Sequence, residues 1–490
     1  MSLIREKPRT ISGRSHEVTR TYLQRGQAVS RSLWIRVSPK HPLLKAVMAP
    51  PIAVLVLTML VLLLIMLGFT LLAIALIGAI TRGGAKDTEE LDTQSFEVET
   101  AEFKATRLEM VTTVVTVGNG SMDLYGQRLC QKLGTRSVYL SFPESFGTSL
   151  LSSEALKFLF TSYKVLKALS PHKILHLTNH HLARYALFPK SIVILTVHDL
   201  IRQFDRMGLS IYIHQPNLRD RIDLWLDWLG IKRANHIIAI SQNTKKDLVD
   251  HAGIPEERIS VIYHGVDHHV FYPRQEPKPF DYPYILFVGS EHPRKNLASL
   301  LRAFRQFKTD SRFEQLKLVK VGKAGGKEFA FRARTLDLIE SLGLANEVVF
   351  AGFVSDEMLA SYYSHAECLV LPSFYEGFGW PVVEAMACGC PVITSNLSSL
   401  PEVAGDAAIM VDPQDIAGLA NALREVLTNS HLKQTLKAKG LVQASKFTWE
   451  KTASETLAVY AIVEEAVRKS SRHGSFQSEK VLVGKGDKWY

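Results

Sequence analysis

The sequence predicts an α/β protein made of two doubly wound parallel sheets that face a cleft, preceded by a long apolar segment. Three observations lead there. Short β-branched runs alternate with longer amphipathic stretches from Val111 to Thr394. The alternation breaks once, in the Pro-rich stretch 272–283 (YPRQEPKPFDYP), which suits a linker. Ahead of all this, no charged residue occurs between Lys45 and Arg82.

The chain begins with a basic arm, residues 1–45, holding ten Lys/Arg and two acids. The tail, 468–490, holds six bases and two acids. These two arms carry more than the whole net charge of +10, so the body between them is slightly acidic. A pI near 9.2 therefore does not describe a basic groove, and no nucleic-acid partner is expected. The arm suits anionic headgroups, where each base gains about 1 kcal/mol near the surface.

Residues 46–82 follow as a transmembrane or re-entrant segment. Ile52–Ile80 is 29 residues of almost wholly aliphatic chain. As a helix it would measure about 43 Å against a hydrocarbon core of about 30 Å. Two full spans do not fit. The basic arm before it and the acids after it (Asp87, Glu89, Glu90, Asp92) place the N-terminus in the cytoplasm. A single span would then put the body outside, and a re-entrant hairpin would keep it inside. Residues 83–108 read as an acidic linker.

The first α/β domain is expected over 109–275. Val111–Val117 is a strand ending at Gly118-Asn119-Gly120, Ile192–Val197 a strand ending at His198-Asp199, and His236–Ile240 a strand leading into a helix. Val261–Tyr263 reads as its last strand, ending at His264-Gly265-Val266-Asp267. The second domain is expected over 276–445. Its strands are Ile285–Val288, Leu316–Val321, Val348–Phe350, Cys368–Leu371 and Pro391–Thr394. Helices at Leu297–Phe307, Lys327–Leu342, Asp356–His365 and Pro381–Ala387 separate them. Residues 446–467 follow as a further helix. In such sheets ligands bind beyond the carboxyl ends of strands, so the residues just after each strand carry the chemistry.

The densest of these stretches is PSFYEGFGWPVVEAMACGCPVITSN, residues 372–396. Glu376 and Glu384 stand eight positions apart, with Gly377-Phe378-Gly379 between them. The glycines let backbone N–H groups approach a ligand, and a helix N-terminus favours negative charge. Glu384 is expected in that helix's first turn, where a carboxylate can accept from neutral sugar hydroxyls. In 288–304 (VGSEHPRKNLASLLRAF), Arg294 and Lys295 follow a strand and precede a helix, a placement that suits a diphosphate. Cys130, Cys368, Cys388 and Cys390 lack metal-site spacing and read as core, so no metal is expected. His180-His181 and His268-His269 read as loop residues. Asp199 could orient His198 or cap the next helix.

These residues resemble the retaining glycosyltransferases of family 4, also called group 1, which have the GT-B fold of two Rossmann-like domains. The resemblance covers about residues 110–465. It implies that Glu376 contacts the transferred sugar and Glu384 the donor ribose. Arg294 and Lys295 would hold the diphosphate, and the backbone of Gly377, Phe378 and Gly379 would line the sugar and phosphate site. Val354 falls where the family's base pocket lies. Gly118 and Gly120 resemble the family's N-terminal glycine loop, and His198 matches a histidine beside the transferred sugar. Many members have Arg after the strand-end glycine, but here Ser290 follows Gly289 while the later RKN is kept. That pattern resembles a branch rich in mannosyltransferases and points to GDP-mannose over a UDP-sugar.

The resemblance implies sugar transfer from a nucleotide sugar with retention, without metal or cofactor, and with no protein general base required. The apolar segment points to a glycan or lipid-linked acceptor at a membrane. Nucleotide sugars are cytosolic in prokaryotes, which places the body on the cytoplasmic face. A rival reading is a non-catalytic scaffold subunit of a membrane glycan-assembly complex, whose mark would be an eroded donor motif. An epimerase or phosphorylase on the same fold is a second rival.

Overall fold

A computed structural model describes residues 111–116, 120–134, 137–140, 165, 173–187, 192–206, 217–323 and 329–472. The basic arm, the apolar segment, the acidic linker, Gly118 and residues 473–490 of the tail lie outside the described residues. Among the described residues, no helix is long and apolar enough to cross a membrane.

The first lobe holds β1 (Val111–Thr116), α1 (Ser121–Leu133), β2 (Ser137–Leu140), β3 (Ile174–Leu177), β4 (Ile192–Val197), α2 (Ile201–Arg206), α3 (Leu218–Arg233), β5 (His236–Ala239), α4 (Gln242–Ala252) and β6 (Ile259–Val261). Its six strands are parallel, in the order β2-β1-β3-β4-β5-β6. Every residue of β3 and β4 is buried, as a parallel strand covered on both faces requires.

The second lobe holds β7 (Tyr284–Val288), α5 (Leu297–Phe307), β8 (Lys317–Val321), α6 (Phe329–Ser341), β9 (Val348–Gly352), α7 (Asp356–His365), β10 (Cys368–Leu371) and α8 (Trp380–Ala387). It continues through β11 (Val392–Ser395), α9 (Leu400–Ala404), β12 (Ala408–Val411), α10 (Ile416–Thr428) and α11 (Ser430–Ala444). This sheet is also six-stranded and parallel, ordered β12-β11-β10-β7-β8-β9. The four cysteines are free and buried.

The order in which successive strands are added reverses between β1 and β3 in one sheet and between β7 and β10 in the other. The residues after β4, β7 and β10 lie at the carboxyl ends of the strands, where α/β sheets bind ligands. The last strand of the first lobe is Ile259–Val261, two residues earlier than the sequence suggests. It registers against Ile237–Ala239, so pairing is spent before Tyr263, and His264 falls in the connection between lobes.

The final helix, α12 (Trp449–Arg472), follows the second lobe in sequence but supplies core to the first. Its Val459, Tyr460 and Val463 pack on Val111, Ile174, Ile192, Ile194 and Ile238. The alternate residues Val193, Leu195 and Val197 face the opposite side of the sheet. Tyr460 also carries a polar tie. Its hydroxyl lies 2.6 Å from His176 Nδ1 and 3.3 Å from Thr113 Oγ1, while His176 Nε2 lies 2.8 Å from Thr196 Oγ1.

Tyr460→Phe strips the buried His176 Nδ1 of that partner. It is expected to lower the unfolding free energy by about 1–3 kcal/mol in urea titrations. An unchanged midpoint would show that the tie contributes nothing.

Candidate functional site

The site is built on a buried carboxylate. Glu376 is 6% exposed and sits in the loop after β10. Its Oε2 accepts from Arg294 at 2.8 Å, and its Oε1 pairs with Lys295 Nζ at 2.7 Å. Ser373 Oγ donates to Oε1 at 2.8 Å. Burial alone would push the Glu376 carboxyl up, but the two cations outweigh it and hold it at about 2.

Local backbone explains why RKN brings its cations here. Pro293–Lys295 forms one 3-10 turn, ended by Asn296 in the left-handed region at φ 56°. The Asn296 side-chain amide donates to the Pro372 and Pro413 carbonyls at 3.0 and 2.7 Å. Phe374 N–H donates to the Arg294 carbonyl at 2.7 Å. Asn296 thus clamps the turn to the end of β10 and brings Arg294 and Lys295 to Glu376, with Arg294 also donating to the Tyr375 carbonyl at 3.0 Å.

The glycine loop is held as tightly. Ser399 Oγ lies 2.9 Å from both the Glu376 and Phe378 carbonyls, and Ser398 Oγ accepts from Glu376 N–H at 3.1 Å. A Cβ on Gly377 would lie 2.3 Å from the His198 carbonyl oxygen, so only glycine fits where the lobes meet. Gly379, at φ 106°, is the N-cap of α8. Trp380 and Pro381 are then the first two helical residues, and Glu384 is the fifth. The expected first-turn position is corrected: Glu384 lies one turn into the helix, beyond the exposed N–H groups.

There Glu384 Oε2 accepts from the Tyr363 hydroxyl at 2.9 Å. Burial pushes its carboxyl up to about 7; Tyr363 pulls the other way, Asp356 adds to the rise, and Arg128 and Lys295 oppose it. The motif's two carboxylates thus occupy opposite electrostatic environments.

The first lobe contributes His198, 4% exposed, just after β4. Its Nε2 lies 2.9 Å from the Thr178 carbonyl, which can only accept, so Nε2 carries the hydrogen. Burial, aided by His180, lowers the ring to about 4. His198 is therefore neutral at pH 7, with Nδ1 a lone-pair acceptor. Asp199 takes the capping alternative, accepting from Ile201 N–H at 3.0 Å.

His180 and His181 are not loop residues. They open a 3-10 helix, His180–Leu187, and His180 Nδ1 accepts from the His198 backbone N–H at 3.3 Å. His264 is buried among Tyr125, Phe378, Trp380 and His198, with ring centroids 4.6–5.3 Å away. Gly120 remains at the N-terminus of α1, Val354 precedes α7, and Ser290 follows Gly289 at the end of β7. Among the described residues, no group of three His, Cys, Asp or Glu could hold a metal ion.

Beside Ser290, a charge cluster appears that the sequence did not flag. Lys320, in β8, has no exposed side-chain surface and pairs with Glu291 Oε1 at 2.7 Å. Arg332 reaches the same oxygen at 2.6 Å. Glu291 Oε2 is buried with no hydrogen-bond partner among the described residues.

Comparison with known proteins bears on what this arrangement does. Residues 113–270 match the family model Glycosyltransferase Family 4, and residues 271–442 match Glycosyl transferases group 1. Over 180 residues the chain is 36% identical to O-antigen chain mannosyltransferase B of Escherichia coli, covering 37% of this chain and 46% of that protein. Over 271 residues it is 31% identical to serotype-specific mannosyltransferase WbdA of Escherichia coli, covering 52% of this chain and 32% of that one. The chain thus spans less than half the length of these two relatives. Sucrose-phosphate synthase from Thermosynechococcus elongatus shares the fold, with a TM-score of 0.59 at 24% identity over 73% of this chain and 99% of that one.

Lys320→Met leaves Glu291 buried with Arg332 as its one cation, and is expected to cost about 3–5 kcal/mol in denaturant unfolding. Adding Glu291→Gln should recover much of that loss. Additive losses would show that the pair is not coupled.

Proposed function

We propose, for a chain that belongs to the group 1 glycosyltransferases, that it moves a hexose, with mannose favoured, from a nucleotide sugar to a glycan or lipid-linked acceptor. The observation that carries this reading is the Glu376 carboxylate clamped between Arg294 and Lys295, against the Gly377–Gly379 loop, with Glu384 one turn into the helix that follows. The relatives named for mannosyl transfer, and the kept RKN after Ser290, support mannose and GDP-mannose over a UDP-sugar.

In this reading Arg294 and Lys295 hold the diphosphate and stabilise its charge as the anomeric C–O bond breaks. Two cations against one carboxylate leave a net positive charge for that purpose. Glu376, kept ionised, orients the sugar hydroxyls. Glu384 accepts from the ribose, Val354 lies by the base, and the backbone of Gly377, Phe378 and Gly379 lines the sugar and phosphate. Gly120 and Ser290 would complete the phosphate side, a role the resemblance also gives to Gly118, which lies outside the described residues. His198 Nδ1, neutral and acceptor-ready, can take a sugar hydroxyl.

The acceptor oxygen forms the new bond on the face the diphosphate leaves, and its proton passes to a leaving phosphate oxygen. The anomeric configuration is retained, and no metal, cofactor or protein base enters the balance. The apolar segment at 46–82 would hold the body at a membrane, on the cytoplasmic face where nucleotide sugars are made.

Labelled GDP-mannose, UDP-glucose and UDP-N-acetylglucosamine offered with a lipid extract test this. Mannose transfer with a retained anomer, read by NMR, is expected. Removing residues 1–105 should abolish transfer to lipid-linked acceptors in membranes. A wild type that binds neither GDP nor UDP in calorimetry would favour the scaffold reading.

The pH dependence follows from Glu384. Its carboxyl takes up a proton near pH 7, so donor KM should rise as pH falls from 8 to 6. Glu384→Gln should flatten that profile while raising KM at pH 8. A profile unchanged by the substitution would remove Glu384 from donor binding.

A further inference from the structure

Arg128 lies on α1 in the first lobe, but its guanidinium serves residues elsewhere. One nitrogen donates to Asp267 in the connection between lobes at 2.9 Å. Another donates to Asp356, the first residue of α7 in the second lobe, at 3.1 Å. These partners are 139 and 228 positions away in sequence. Arg128 also lines two cavities. One, of about 30 Å³, is shared with Asp356, Glu384, Trp380 and Gly265. The other, of about 420 Å³, is shared with Asp267, Gln127, Lys132, His268 and Glu450. Both cavities are lined by Leu124, Arg128, Val266, Asp267 and Trp449, and only the smaller reaches Glu384.

Asp356 and Glu384 are two like charges acting on one region, and Arg128 is the cation the opposite lobe brings to them. Glu384 is faced by Tyr363 and Asp356 from α7, Lys295 from the turn after β7, and Arg128 from α1. Of these four, Arg128 alone belongs to the first lobe, so its effect depends on how the lobes meet.

We propose that Arg128 is a positioning residue of the donor site: it ties the first lobe to Asp356 and, by offsetting that carboxylate, keeps Glu384 free to accept from a nucleotide ribose. The proposal rests on the reading of Glu384 as the ribose-binding residue. Lobe contact and donor affinity are then coupled, because a residue that joins the lobes also tunes the carboxylate.

The test is the pH profile of GDP and UDP affinity, by calorimetry on the full chain, together with donor KM and kcat. Arg128→Gln removes the offsetting charge. Affinity at pH 7 should fall about five-fold, the profile's midpoint should move to higher pH, and kcat at saturation should hold. Asp356→Asn breaks the same ion pair but removes the repelling charge, so its midpoint should move to lower pH. Arg128→Lys should restore most of the affinity and, with Asp356→Asn, supplies a variant of nearly unchanged shape. A tie that matters for stability alone would lower Tm in both variants and leave both midpoints in place, overturning the proposal. Midpoints moving in the same direction would overturn it too. Absence of nucleotide binding in the wild type would instead remove the Glu384 reading, and this inference with it.

Discussion

The buried Glu376 carboxylate is the constraint that organises the site. Taking an ion out of water costs several kcal/mol, and the cost is met only where geometry and hydrogen bonds are complete. Completeness is what the loops provide. Arg294 and Lys295 come from the turn after β7, Ser373 from the end of β10, and Asn296 fastens one to the other. If any one moved, an ion would stay buried without its partner. The two strand ends at the sheet's switch point are thereby fixed relative to each other. The positive charge left over is held at one place before any anion arrives, which is what electrostatic preorganisation requires.

That rigidity extends to where the lobes meet. Gly377 packs on the His198 carbonyl with no room for a side chain. Glu402, in α9, accepts from Gln242 and Asn243 N–H at 2.8 and 2.9 Å, so a second-lobe carboxylate caps α4 of the first. Tyr375 donates to Asp247 at 2.5 Å. The loop that carries Glu376 is therefore also a docking surface, and His198 is brought to it by backbone contact. The α12 helix closes the arrangement by giving the first lobe part of its core.

Legibility in the sequence followed how local each interaction is. Glu376, Glu384, Arg294 and Lys295 could be read because strand, loop and helix follow within a few residues, and their spacing has few other uses. The placement of Glu384 failed by one residue, because the helix opens at Trp380, behind the positive φ of Gly379, and not at Pro381. His180 looked like half of a loop pair, since nothing in HH announces a 3-10 turn beneath His198. Lys320 in KLVKV read as one more strand residue, although helices cover both faces there and its partner Glu291 is 29 positions away. Arg128 left no trace at all. A single arginine on an amphipathic helix has no signature when its partners come from another lobe.

The two carboxylates of the motif show how one helix and its preceding loop can hold two ionisation states. Glu376 is buried with two cations and stays ionised far below neutrality. Glu384 is half-buried against a tyrosine hydroxyl, with an aspartate raising it and two cations acting on it through space, and its carboxyl rises to about 7. The difference comes from neighbours, since burial pushes both in the same direction. In the proposed reading, a carboxylate that must remain charged beside a diphosphate needs fixed cations. One that exchanges hydroxyl partners is better left weakly compensated, since strong ion pairs would compete with the ligand. The charges acting on Glu384 come from both lobes, whereas the cations paired with Glu376 come from the second alone. The first carboxylate is therefore a permanent part of the second lobe, while the second is conditional on the first lobe being in place.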